Sequence, residues 1–299
     1  MADHALGHEQ DSNAALTELK VKHATDAPFQ IAPQHGPGES TPCWISSVVD
    51  TSPWRSRNFR YQRQVTMGLS PSGLQLTKPK IIPDWTSLPE EERKMDAKRM
   101  AVYAGMLEYM DMSIGRVLEY LKQKGMLDNT IVLFMSDNGG EAHKLMDHFP
   151  DYYAKNFNLT YEHLGQKGSF VEYGLAWAMV SMTPFASFKS SASEGGVRAP
   201  LIVSYPKAVP SGQRTDAFAS VLDVVPTLLE FAGVKPSSTS PPLAGRSMTS
   251  LLTGASAQVY PADASISQEL SGGAAVYQGD YKLVRKNCFS YWLLSQSSR

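Results

Sequence analysis

At 299 residues, the chain is long enough for one large domain or two smaller ones. Its hydrophobic content of 42% and charged content of 19% are those of an ordinary globular protein. A net charge of -1 argues against nucleic acid or an anionic membrane as partner, and no apolar run reaches the ~20 residues that cross a bilayer. Because the N-terminus also lacks the basic and apolar regions of a secretory signal, we expect a cytoplasmic protein.

The first part of the chain, residues 1–66, is compositionally mixed. It combines a polar tract, prolines, glycines and arginine-rich pieces without sustained periodicity, so we expect a poorly ordered segment. Cys43 in this segment and Cys288 near the other end give no disulfide framework, and we expect both to be free thiols.

A long helix is predicted from about Pro89 to Lys124. Ser87 can cap it, Pro89 suits its first turn, and three glutamates from position 90 onwards favour the positive end of the helix dipole. Apolar side chains recur along it at spacings of three, four or seven residues. Gly125 follows as the residue that ends the helix.

A short apolar strand begins at about Thr130 and ends in Asp137, Asn138 and two glycines. Such a run predicts a strand buried on both faces, and the helix before it predicts a parallel or mixed sheet. Ligands of open α/β sheets collect beyond the carboxyl ends of strands, and carboxylate and amide oxygens are donors that Ca²⁺ or Mg²⁺ takes. From the spacing alone, a metal site and an ordinary Asx/Gly turn remain equally open.

The remainder of the chain alternates loops with short elements. Residues 141–188 form a long aromatic-rich excursion, the kind of loop that commonly carries binding residues. A second short strand is predicted over 201–205 and a compact helix over 223–233. Residues 275–284 predict a hairpin that turns at Gln278-Gly279.

Four segments in this order resemble the C-terminal part of sulfatases, in the arylsulfatase and alkylsulfatase branch: LDNTIVLFMSDNGGEA, FKSSASEGGVRAPLIVSYP, DVVPTLLEFAGV and GDYKLVR. The resemblance runs from Leu69 to Val284. It implies an α/β, alkaline-phosphatase-like fold with a mixed sheet flanked by helices, incomplete here and ending in a small C-terminal hairpin region. The implied division is a divergent segment at 1–66, a partial catalytic domain at 67–235 and a C-terminal region at 236–299.

The family hydrolyses sulfate esters with a divalent ion, so the resemblance implies Ca²⁺ or Mg²⁺ as cofactor and a small aryl or alkyl sulfate ester as substrate. Asp137 and Asn138 match its second pair of metal ligands, and Lys189, five residues before Glu194, matches the lysine that contacts the sulfate group. Cations stabilise the negative charge of a sulfuryl group in transfer, and lysine suits this role as a point charge. We expect Glu194–Arg198 to be structural, with its glycines in a tight turn and its arginine in an ion pair.

The nucleophile of the family is missing from this sequence. It is a cysteine, or a serine, in Cys-X-Pro-X-Arg that becomes formylglycine, but neither Cys43 nor Cys288 is followed by Pro and Arg at those offsets. No catalytic residue is therefore identified, formylglycine is not available, and we expect the chain alone to be inactive. His143, His148 and His163 of the long loop are expected to be surface residues.

Three functions remain open from the sequence. The first is a sulfuric ester hydrolase, of which this chain is a truncated product. The second is a non-catalytic, sulfatase-like remnant that binds an anion or a protein partner. The third is a phosphodiesterase or phosphatase of the same fold, which normally needs several His and Asp ligands beyond those present here.

Overall fold

A computed structural model describes residues 52–237, 239, 241–270, 272–285 and 292–296. Within these ranges the chain forms eight α-helices and six β-strands. The helices are α1 (Pro53–Thr66), α2 (Glu90–Gln123), α3 (Leu145–His148), α4 (Pro150–Asn156), α5 (Gly174–Ser181), α6 (Glu194–Val197), α7 (Val224–Phe231) and α8 (Thr249–Leu252). The strands are β1 (Val132–Met135), β2 (Leu201–Ser204), β3 (Ser265–Leu270), β4 (Gly273–Gln278), β5 (Tyr281–Arg285) and β6 (Trp292–Gln296). Short 3-10 turns lie at Trp85–Ser87, Leu127–Asn129 and Val221–Asp223.

The chain divides into two compact units. Among the described residues, the first unit comprises 85–108 and 144–173, and the second comprises 52–84, 109–143 and the parts of 174–296 that are described. The first unit is held by an aromatic cluster of Tyr152, Tyr153, Phe157 and Phe170. These rings of the long loop therefore pack against one another. No helix within the described ranges is both long and apolar enough to cross a membrane.

Helix α1 corrects the prediction of a poorly ordered segment over 1–66. Ser52 caps this helix by accepting a hydrogen bond from the Arg55 N–H, and Pro53 occupies its first turn. Its inward face is formed by Arg57 and Tyr61, which are 0% and 5% exposed. Polar side chains hold this helix in place, so it has no apolar stripe. For this reason the hydrophobic periodicity of the sequence did not predict it. Residues 1–51 of the predicted segment lie outside the described residues.

Arg57 fastens α1 to two other segments of the second unit. Its guanidinium donates to the carbonyl oxygens of Thr77, at 2.8 Å, and of Phe185, at 2.8 Å. Burial lowers the pKa of this group to about 10. Gln64 adds a hydrogen bond from its side-chain amide to the Thr183 carbonyl. These bonds hold α1 against the segment around residue 77 and against the loop that follows α5.

Helix α2 confirms the long predicted helix to within one residue at each end. Its first turn carries three glutamates at the positive end of the dipole. It ends in a Schellman motif, in which the Met126 N–H bonds to the Leu121 carbonyl and the Gly125 N–H bonds to the Lys122 carbonyl. Gly125 has φ +66°, the left-handed conformation that glycine adopts without a steric cost.

Strands β1 and β2 form an antiparallel pair in the register Val132 to Ser204 and Met135 to Leu201. Both strands were predicted, but the burial of the first on two faces was wrong. Phe134 is 39% exposed and Ile202 is 62% exposed. The parallel or mixed pairing expected from the helix–strand order is not seen among the described strands. The overall class, a mixture of helices and sheet with few strands in an incomplete domain, agrees with the prediction.

The second sheet is antiparallel in the order β3-β4-β5-β6. Strands β4 and β5 are the predicted hairpin, and Gly279 in its turn has φ +53°. One face of the hairpin buries Ala275 and Val284 against Ala192 of the loop before α6. This contact joins the C-terminal sheet to the loop that carries Lys189.

The predicted compact helix is α7, preceded by a 3-10 turn that ends at Asp223. The Asp223 carboxylate is fully buried and accepts hydrogen bonds from the Ser220 N–H, the Arg246 N–H and the Tyr260 hydroxyl. Burial and this carboxylate together raise the pKa of Tyr260. Asp223 therefore joins the segments at Arg246 and Tyr260 to the start of α7, and it also takes part in the capping box of the 3-10 turn before this helix.

Candidate functional site

The carboxyl end of β1 is fixed by a close approach of two glycine-containing segments. The Gly139 N–H donates to the Gly196 carbonyl at 3.0 Å. A Cβ on Gly139 would lie 1.8 Å from the Gly195 carbonyl oxygen, so no larger residue fits at position 139 without moving backbone. The turn that presents Asp137 and Asn138 is thereby held against α6. The Ser136 hydroxyl, which donates to the Asn138 carbonyl at 2.9 Å, steadies it further.

Lys189 lies at the same end of β1. Its N–H donates to the Gly140 carbonyl at 3.1 Å, and its ammonium pairs with the Glu141 carboxylate at 2.8 Å. The hydrogen bond that the ammonium donates to Glu141, and then the charge of Glu141, raise the pKa of Lys189, and the charge of Asp137 adds to the same effect. The structure thus brings together the turn after β1 and the lysine some fifty positions later.

Glu141 is a member of this site that the sequence reasoning missed. Its carboxylate accepts from Lys189, from the His143 N–H at 2.9 Å and from His143 Nδ1 at 2.5 Å. Burial alone raises the pKa of Glu141, but these hydrogen bonds outweigh it and lower the pKa to about 2. The sequence feature that could have identified Glu141 is its position directly after the two glycines. His143 keeps 51% of its side chain exposed, in line with the surface location predicted for it.

The loop from Ala186 to Ser193, which carries Lys189, is strained at two points. Ser187 and Ser190 have φ of +71° and +68°, a region that non-glycine residues rarely occupy. Such conformations cost of order 1–3 kcal/mol each and persist only where surrounding contacts impose them. Here they bracket Lys189, so the surrounding packing and not local preference sets its backbone.

A groove of about 710 Å³ opens beside this loop, a size that suits a small organic ligand. One wall is the segment that includes Lys78, and the other is the strained loop with Phe188 and Lys189. His143 also lines it. Arg57 binds backbone carbonyls next to both walls, so the width of the groove is fixed by a buried group.

Glu194, at the start of α6, collects several partners. Its carboxylate pairs with the Lys282 ammonium at 2.6 Å and with Arg198 at 3.4 Å, and it accepts from the Tyr277 hydroxyl at 3.0 Å. The ion pair expected for Arg198 is therefore confirmed. The sequence did not indicate Lys282 or Tyr277, which belong to the C-terminal sheet.

The predicted metal ligands offer part of a coordination shell. Asp137 has a carboxylate and Asn138 has a side-chain amide oxygen, and both are hard oxygen donors. The donor chemistry fits Ca²⁺ or Mg²⁺, but these cations take about six to eight oxygens in all. In the part of the chain that the structure describes, no group of three or more His, Cys, Asp and Glu residues is arranged to hold a metal.

Comparison with known proteins gives consistent matches. The family model described as Sulfatase matches residues 35–234. An uncharacterized sulfatase of Schizosaccharomyces pombe is 38% identical over 238 residues, which are 73% of this chain and 42% of that protein. The arylsulfatase of Klebsiella aerogenes is 36% identical over 180 residues, which are 59% of this chain and 39% of that protein. The chain thus spans about two fifths of the length of these relatives.

Among solved structures, Ps i-CgsB superposes with a TM-score of 0.48 at 24% identity, covering 94% of this chain and 55% of that one. A phosphonate monoester hydrolase from Silicibacter pomeroyi superposes with a TM-score of 0.44 at 18% identity, covering 90% of this chain and 46% of that one. The family model and the sequence relatives, not these superpositions, show the family, and the match of the family model begins at residue 35. The chain belongs to the sulfatase family.

Proposed function

We propose that this chain forms the sulfate-binding side of a sulfate-ester hydrolase, with Lys189 as the contact to the sulfate group. Asp137 and Asn138 contribute two oxygens to a divalent cation beside it. The observation that carries the proposal is the hydrogen bond from the Lys189 N–H to Gly140, two positions after Asn138. The raised pKa of Lys189, to which Asp137 contributes after Glu141, supports the same proximity.

The chemistry of the residues suits an anionic ligand. Glu141 holds the Lys189 ammonium at 2.8 Å, so a positive charge is positioned before the ligand arrives. An ammonium has three donors, and a sulfate oxygen can take one of them while Glu141 keeps another. Ca²⁺ or Mg²⁺, when bound, would add positive charge against the same sulfate oxygens.

These 299 residues hold no Cys-X-Pro-X-Arg sequence, so we expect them to bind sulfate without turning over its esters. The substrate is proposed to be a small aryl or alkyl sulfate ester, whose organic part would occupy the groove between Lys78 and Phe188. A version of the chain extended upstream to include such a motif is expected to hydrolyse an aryl sulfate. If the extended version bound the ester but did not hydrolyse it, the non-catalytic alternative would replace this proposal.

The sulfate contact is tested by calorimetric titration of the purified chain with sodium sulfate in the presence of Ca²⁺. Lys189→Met removes a charge-assisted contact and is expected to weaken sulfate binding by about tenfold or more. Lys235→Met is the matched control, because Lys235 is exposed and makes the same change of charge elsewhere. Equal affinity of wild type and Lys189→Met would contradict the proposed role of Lys189.

A further inference from the structure

The most deeply buried charge of the C-terminal sheet is Lys282 on β5, which is 1% exposed. Its ammonium lies 2.6 Å from the Glu194 carboxylate and 4.6 Å from the centre of the Tyr277 ring. Tyr277 donates its hydroxyl to the same carboxylate oxygen at 3.0 Å. Burial lowers the pKa of Lys282, and Glu194 opposes that shift. A lysine, a tyrosine and a glutamate thus share one enclosed polar contact.

The buried ion pair of Lys282 and Glu194 does not by itself imply that the pair stabilises the folded state. Taking two charges out of water costs several kcal/mol per ion, and apolar replacements of a similar size often give a more stable protein. Breaking one side of the pair is costly, however, because it leaves a buried charge without a partner. The best-attested use of such a pair is to specify one arrangement of the elements that it joins. Here those elements are the C-terminal sheet and α6.

Backbone bonds connect α6 directly to the proposed sulfate site. The Gly195 N–H, next to Glu194, bonds to the Ala186 carbonyl at 3.0 Å, and the Gly196 carbonyl accepts from the Gly139 N–H. Lys189 lies three residues after Ala186 and bonds to Gly140, the neighbour of Gly139. The loop that carries Lys189 is therefore held between the turn after β1 and the residue that Lys282 binds.

The packing in this region leaves little room for independent movement. A Cβ on Gly195 would lie 2.2 Å from the Ser187 carbonyl oxygen, and one on Gly196 would lie 2.0 Å from that of Ser191. Ala192 from the same loop packs on Ala275 of the sheet. Because close-packed backbone transmits displacement rather than absorbing it, a shift of Glu194 would carry the loop with it.

We propose that Lys282, supported by Tyr277, is a positioning residue for Lys189: by fixing Glu194 it holds the loop from Ala186 to Ser193 in the strained form that presents the Lys189 ammonium. This inference rests on the proposed sulfate-binding function. It assigns to the C-terminal sheet a part in anion recognition, although Lys282 itself does not touch the anion.

The first test measures the position of the loop without any ligand. Hydrogen exchange of the Lys189 amide, which bonds to Gly140, is compared in wild type, Lys282→Met and the control Lys235→Met. Lys282→Met is expected to speed exchange at Lys189 by about tenfold, while Lys235→Met leaves it unchanged. Unchanged protection of Lys189 in Lys282→Met would overturn the positioning role, whether or not the chain binds sulfate.

The second test separates positioning from general destabilisation. Sulfate titrations are made on Lys282→Met, Lys189→Met and the double variant, at a temperature where all three are folded. If Lys282 acts through Lys189, sulfate binding in the double variant is no weaker than in Lys189→Met alone. Additive losses would overturn the proposal, because they would mean that Lys282 acts independently of Lys189.

If Lys282→Met does not fold, Tyr277→Phe provides a milder change that keeps the ion pair and the aromatic ring. It removes one hydrogen bond to Glu194, and we expect faster exchange at Lys189 with little change in the melting temperature. Wild-type exchange at Lys189 in this variant would contradict the proposal. The failure of wild type to bind sulfate would instead count against the proposed function, and the exchange result would still stand.

Discussion

At the scale of single residues, the centre of the site is the carboxylate of Glu141. It bonds to Lys189 and to His143, and its pKa is lowered to about 2. A lowered folded-state pKa contributes stability that is fully present above the ordinary value of 4.5 and is lost as the pH falls through about 2. Because 45% of this side chain is exposed, solvent screens the contribution and keeps it small.

We therefore expect Glu141→Gln to lower the free energy of unfolding at pH 6, and the difference from wild type to shrink markedly at pH 3. Urea unfolding of both proteins at the two pH values measures this change. A difference that is the same at pH 6 and pH 3 would mean that the Glu141 carboxylate is not held by Lys189 and His143 in solution.

Some residues of the site could be predicted from the sequence, and others could not. Asp137 and Asn138 could be proposed from the sequence because they follow a short apolar strand and precede two glycines. Lys189 was proposed from the resemblance to sulfatases, by its position five residues before Glu194. Lys282 could not be proposed in this way, although one signal existed. Alternate residues of a strand share a face, so Lys282 lies on the same side of β5 as the buried Val284. A charged residue in a buried register position is the pattern that would have identified it.

At the scale of elements, the turn after β1 depends on the absence of a side chain at Gly139. A Cβ there would meet the Gly195 carbonyl oxygen at 1.8 Å, and both partners are backbone. We expect Gly139→Ala to destabilise the protein by roughly 1–3 kcal/mol, because the strand end and α6 must separate. Chemical denaturation measures the loss.

Gly115→Ala is the control, and we expect it to change the stability in the opposite direction. Gly115 lies inside α2, and a Cβ there would have open space around it. Alanine is favoured over glycine in a helix interior by about 1 kcal/mol, so this variant should be more stable than wild type. Equal effects of the two substitutions would contradict the close packing of Gly139 against α6.

The two long helices also explain which elements could be predicted. Helix α2 could be predicted because its acidic first turn, its apolar periodicity and its glycine stop are all local signals. Helix α1 has local signals at its two ends, a Ser52 cap and a left-handed Gly68, but it lacks an acidic first turn and an apolar stripe. Its inward Arg57 instead binds the carbonyl of Phe185, more than a hundred positions away. Tertiary hydrogen bonds of this kind leave no periodic trace in the sequence.

At the scale of the whole molecule, the chain is a sulfatase-family polypeptide that spans about two fifths of the length of its relatives. The prediction of a doubly buried β1 assumed the neighbours of a full sheet. The described chain instead leaves Phe134 and Ile202 exposed on the β1–β2 pair. Apolar side chains on the second half of α2, such as Met110 and Met112, are also exposed. Exposed apolar surface of this kind commonly marks a contact with further protein.

In the proposed function, Lys189 and the pair Asp137–Asn138 bind one sulfate and one divalent cation as a joint site. Two ligands that share a site change the affinity of each other by the same factor. The most direct measurement is the dissociation constant of sulfate at saturating Ca²⁺ and in its absence, for wild type and Asp137→Ala. We predict that Ca²⁺ tightens sulfate binding to wild type by about tenfold and has no effect on Asp137→Ala. Sulfate affinity that is independent of Ca²⁺ in wild type would contradict the account.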